Sequence, residues 1–103
     1  MSCHILRADR ANDQLNDIIQ YIANDSGDVD LALHILDTFE AAIMRLTDFP
    51  ASGSEPRYSI LKRQGYRVLI VERYLVFYKV HESAKAVIVY AVVDGRRDYF
   101  SLI

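Results

Sequence analysis

Three apolar segments follow one another in the last third of the chain, joined by links too short to let them run parallel. Gly65–Val71, Tyr74–Val80 and Ala86–Val93 are rich in Val, Ile, Tyr and Phe, residues that suit a pleated, half-buried surface. Only Glu72-Arg73 separates the first two, and His81–Lys85 the next two. A parallel pair needs a crossover of about a dozen residues or more, so these links predict antiparallel hairpins. In the last segment Val87, Val89, Ala91 and Val93 alternate with Ile88, Tyr90 and Val92. Both faces are therefore apolar, which predicts a central strand. In the first, Tyr66, Val68 and Ile70 share one face while Arg67, Leu69 and Val71 share the other.

The N-terminal half reads differently. Cys3–Arg7 suits a short opening strand, and Ala11, Leu15, Ile18 and Ile22 then recur at helical spacing. Asp9 is the expected N-cap, and Asn24–Asp28 ends the helix in turn-forming residues. A second helix is expected from Asp28 or Asp30 to about Phe49, before Pro50, with a core stripe of Ala32, Ile35, Phe39, Ala42, Ile43 and Leu46. Leu31, Leu33, Leu36 and Met44 broaden its apolar surface, which either packs within the monomer or leaves a strip for a partner. Phe49–Ser59 holds both prolines and is the one substantial loop. The expected fold is α+β: an N-terminal strand and two antiparallel helices packed on an antiparallel sheet formed mainly by the three C-terminal strands.

The 103 residues suit a single domain. No run approaches the roughly 20 apolar residues that cross a bilayer, and the first ten residues lack a secretory apolar stretch. A soluble, cytoplasmic protein without membrane contact is expected. The lone Cys3 excludes an internal disulfide and multi-cysteine zinc patterns, while His4, His34 and His81 are too scattered to form a ligand set. No metal and no cofactor are expected. The net charge of -2 conceals a division: residues 1–56 carry three basic and ten acidic residues, and residues 57–103 nine basic and four acidic. This asymmetry fits an anionic partner for the second half, or lysines and arginines that simply solvate strands and turns.

The last strand pattern ends in Gly95-Arg96-Arg97-Asp98-Tyr99. Guanidinium groups on a rigid sheet suit binding to phosphate or carboxylate, and Arg67 reaches the same surface if its strand lies alongside. Asp98 pairing with one arginine is the plainer alternative. Of the sheet tyrosines, whose usual place is the core, Tyr99 alone stands beside the arginines. The candidate binding residues are thus Arg67, Arg96, Arg97 and Tyr99.

The acidic two-helix start, Leu46–Pro50 (LTDFP), Gly65-Tyr66-Arg67, Tyr74–Tyr78 (YLVFY) and Gly95–Asp98 (GRRD), taken in order, resemble toxins of the RelE/ParE superfamily over nearly the whole chain. The resemblance implies a toxin of a bacterial type II toxin-antitoxin system, of the kind tied to plasmid stabilisation and growth inhibition and neutralised by a cognate antitoxin protein. It also implies one of two activities: messenger RNA cleavage on the ribosome in RelE-like members, or inhibition of DNA gyrase in ParE-like members. RelE-like nucleases place an arginine after the tyrosine that opens the Tyr74 strand, where this chain has Leu75, and a related branch uses a C-terminal histidine-tyrosine pair, whereas the last histidine here is His81. The sequence pI of about 5.8 also disfavours docking among RNA phosphates. The ParE-like reading is therefore favoured. The alternatives are a ribosome-dependent endoribonuclease using Arg67, Arg97 and Tyr99, and an interaction module without toxicity. Without antitoxin, the apolar helix surface is available for homodimer formation.

Overall fold

The computed structural model describes residues 2–103. Its elements are β1 (His4–Arg7), α1 (Asp9–Ser26), α2 (Val29–Met44), α3 (Ser59–Arg63), β2 (Arg67–Val71), β3 (Tyr74–His81) and β4 (Ala86–Asp94). Short 3-10 turns lie at Arg45–Thr47, Glu82–Ala84 and Phe100–Leu102. One four-stranded sheet runs in the order β1-β4-β3-β2. Both expected hairpins form, β2 with β3 and β3 with β4, and β4 is indeed internal.

Three details of the N-terminal half depart from the expectation. β1 pairs with β4 in parallel, so the sheet is mixed. The long excursion through both helices frees the chain from the hairpin constraint that governs the other strands. α1 begins after Ala8 without a side-chain cap, and Asp9 lies in its first turn. The cause is β4: Ala8 N–H is still bonded to Val89 C=O at 2.8 Å, so the strand backbone holds on through the cap position. The second helix stops at Met44 and tightens into a 3-10 turn, with Leu46 fully buried beneath it. Phe49, as the residue before Pro50, is steered away from helical backbone.

The link between the helices is read correctly from its residues. Gly27 takes the left-handed conformation (φ 68°) and returns its N–H to Ala23 C=O, and Asp28 caps α2 by accepting from Leu31 N–H at 3.0 Å. Both helices lie on one sheet face, where Leu15, Phe39 and Ile43 meet Val76, Tyr78, Val87 and Val89. Arg7 of β1 and Glu40 of α2 tie that layer together through a two-point ion pair.

The second sheet face is not open along its whole length. α3, unforeseen in the sequence, places Leu61 against Val68, Phe77, Ala91 and Val93. A bulge in β4 makes this arrangement possible. Phe77 opposes Ala91 while Tyr78 opposes Val89, so Tyr90 is the extra residue. Beyond it the alternation inverts: Val92 joins Val87 and Val89 in the helix-side core, and Ala91 and Val93 face α3.

The proline-containing loop is held by Tyr78. Its hydroxyl donates to Pro50 C=O at 2.8 Å and accepts from Gly53 N–H at 3.0 Å, while the ring is fully buried. Removing the hydroxyl strands two loop groups. We expect Tyr78→Phe to lower unfolding free energy by about 1–3 kcal/mol, read by chemical denaturation.

Candidate functional site

The β3–β4 register sets Tyr74 opposite Asp94, which brings the Glu72-Arg73 turn against Gly95-Arg96-Arg97. The approach is close. Gly95 N–H bonds Arg73 C=O at 2.9 Å, and a Cβ at Gly95 would lie 2.9 Å from that same oxygen and 3.2 Å from Leu75 Cγ. Only glycine fits between turn and strand end.

Asp94 organises the arginines around it. Its side chain is 16% exposed and faces Arg73 Nε at 3.4 Å and Arg96 Nε at 3.6 Å, and it accepts Arg96 N–H at 2.9 Å. Partial burial alone raises its carboxyl pKa, but the Arg96 N–H bond and the charges of Arg73 and Arg96 outweigh that, so the net displacement is downward. Arg73 also lies over the Tyr74 ring, 5.1 Å from its centroid. Arg97 has no carboxylate partner among the described residues, and its backbone N–H bonds Asp94 C=O at 3.2 Å.

The three arginines rim an open cleft of about 660 Å³, walled by Gln14, Asp17, Ile18 and Tyr21 of α1 and floored by Tyr74 and Val92. α1 is held there by Gln14, which accepts from Val92 N–H at 2.8 Å and donates to Leu102 C=O at 2.9 Å. Tyr21 is 60% exposed. Arg73 and Arg96 also border a second cleft of about 400 Å³ with Glu55, Arg57 and Leu75, so they form a ridge between two concavities. Cations beside apolar walls suit a carboxylate or phosphate carried on an apolar segment.

The structure brings Arg96 and Arg97 together, sets Arg67 apart from them, and places Tyr99 beside Arg96 at the edge of the second cleft. Arg67 lies four residues along β2 from Val71, about 13 Å from the Asp94 row. Its Nη2 donates to Ala51 C=O at 2.8 Å and to Gly53 C=O, and it braces the same loop as Tyr78. Tyr99 is only 4% exposed, packed edge-on against Tyr58 and tilted against Phe77. Burial raises its phenol pKa, Tyr58 adds to that, and Arg57 offsets part of it. Asp98 is exposed and pairs with no arginine among the described residues; Asp94 takes that part. Arg73, read in the sequence as a mere link residue, belongs to the cluster. The signal was present, because an antiparallel hairpin must set the start of β3 beside the end of β4.

Comparison with known proteins decides the family. The family model for the ParE toxin of type II toxin-antitoxin system, parDE, matches residues 5–99. The chain belongs to the ParE toxin family. A solved structure from a chromosomal ParDE toxin-antitoxin system of P. aeruginosa is similar in fold, with a TM-score of 0.73 at 15% identity, over 90% of this chain and 96% of that one. A comparison with curated proteins gives no match. No helix among the described residues is long and apolar enough to cross a membrane, and no group of His, Cys, Asp and Glu among them is placed to hold a metal.

The depressed Asp94 pKa has a consequence at low pH. A carboxyl with a lower pKa folded than unfolded contributes stability that is present above the unfolded value of about 3.9 and is lost as pH falls through the folded value. We expect Asp94→Asn to be less stable than the parent near neutral pH, and the difference between the two chains to shrink in denaturation series as pH falls below the ordinary aspartate range and through the lowered folded value.

Proposed function

We propose that this family member is an inhibitory toxin that binds DNA gyrase through the Arg73–Arg96–Arg97 rim, and that its cognate antitoxin neutralises it by covering the same cleft. The observation that carries this reading is the Arg97 guanidinium, which forms no ion pair among the described residues. Asp94 neutralises part of the charge of Arg73 and Arg96 and fixes their geometry, which leaves one cation ready for a partner's anionic group. The exposed Tyr21 ring on the opposite wall supplies an apolar anchor of the kind that dominates interface energetics. The antitoxin of the P. aeruginosa ParDE system is the model for the covering partner.

Messenger RNA cleavage at this cluster draws less support. It needs a proton donor and acceptor beside the cations, and Tyr99 is enclosed by aromatic rings with its phenol pKa raised. Leu75 packs with the second-face core, where a nuclease of the superfamily would carry a cation.

The test is gyrase supercoiling with purified protein, paired with growth on expression without antitoxin. Arg97→Ala should weaken inhibition roughly 10- to 100-fold, as for loss of one charge-assisted contact, with an unchanged thermal melt. Full inhibition by folded Arg97→Ala would place the contact elsewhere. Unchanged supercoiling at excess parent protein, with codon-positioned transcript cuts in cells, would favour the nuclease reading.

A further inference from the structure

The half of the second sheet face that α3 leaves bare has a distinct chemistry. α3 and the C-terminal turn cover the Arg96 end, where Leu61, Tyr58 and Tyr99 pack. Toward the other end, Tyr66, Lys79, His81 and Tyr90 remain half-exposed on one surface. Strand register extends it sideways: Lys79 pairs with Ile88, and Ile88 with Leu6, whose side chain is 54% exposed. The bulge pushes Tyr90 out of the ladder and beside Tyr66, with ring centroids 5.7 Å apart and planes at 84°.

Lys79 rests on both rings, with Nζ 4.5 Å from the Tyr66 centroid and 5.4 Å from that of Tyr90. Among the described residues no carboxylate pairs with it or with Arg10, whose charge is close enough to act on the Tyr66 phenol. His81 Nε2 lies 3.2 Å from the Tyr90 hydroxyl and holds that ring's orientation. Aromatic faces, an unpaired lysine on a flexible stem and a second cation nearby are what sequence-tolerant recognition of a single strand uses. Lys79 covers the ring faces on which a base would stack, and its stem is long enough for the ammonium to swing to an adjoining phosphate.

We propose that this half-face, built on Tyr66, Lys79 and Tyr90, binds single-stranded nucleic acid by stacking and phosphate contact. The chain's overall acidity does not oppose this, because the acidic excess lies in residues 1–56, which make both long helices on the other sheet face. The surface is separate from the arginine rim, so its test needs no gyrase.

The experiment is fluorescence anisotropy of a labelled oligothymidylate of about 12 nucleotides with the full chain, at about 50 and 200 mM salt. Saturable binding in the micromolar range is expected, with a log–log salt slope of about −1.4 for two neutralised phosphates. Lys79→Gln should lower that slope to about −0.7 and weaken binding at least fivefold. Tyr90→Ser, with its fold checked by thermal melt, should weaken it roughly tenfold. Arg97→Ala should bind as the parent does. No saturable binding at about 100 μM protein in the lower salt would overturn the proposal. So would equal affinity for a duplex of the same length, loss with Arg97→Ala but not Lys79→Gln, or displacement of the strand by polyglutamate at equal charge concentration.

Discussion

The two-residue turn at Glu72-Arg73 is the constraint on which the rest of the molecule depends. It fixes the register of β2 on β3, and the short link after β3 fixes β3 on β4, so the last residue of β4 must arrive beside the turn. The turn is tight enough to hold Glu72 at a positive φ of 55°, a conformation that costs a non-glycine residue about 1–2 kcal/mol. The sheet sustains that local strain through its paired backbone and two packed faces. The candidate site is a product of this geometry: Gly95 fits against Arg73, Asp94 meets two guanidinium groups, and Arg97 is left over.

A second constraint is the bulge at Tyr90. Without it, a strictly alternating β4 would carry Val93 on the helix side and deny α3 its core partner. With it, the N-terminal half of β4 feeds the helix layer and the C-terminal half feeds both layers. The same displacement leaves Tyr90 on the bare half of the second face. One irregularity thus serves the packing and shapes a potential binding surface.

The sequence made the hairpins, both helices, the Asp28 cap and the central place of β4 legible, because each depends on local spacing or on link length. It hid what depends on contacts far along the chain. The parallel placement of β1 is decided by β4, more than 80 residues away in sequence at His4–Ala86. α3 is too short for a periodic signal and forms because the second sheet face needs a cover. For the site, Arg96 and Arg97 were visible as a cluster, but an arginine's surroundings are not written beside it. Arg67 spends its guanidinium on loop carbonyls, Tyr99 is enclosed by rings, and the aspartate that matters is Asp94 rather than Asp98.

Hairpin register, through Asp94, offsets part of the charge of Arg73 and Arg96 and leaves Arg97 without a carboxylate partner among the described residues. The most direct test of this charge balance is the titration of the Asp94 side-chain carboxyl by NMR in the parent chain and in Arg73→Ala. The parent midpoint should lie below the ordinary aspartate value of about 3.9 and move upward when the Arg73 charge is removed. A midpoint at or above that value, indifferent to Arg73, would contradict it.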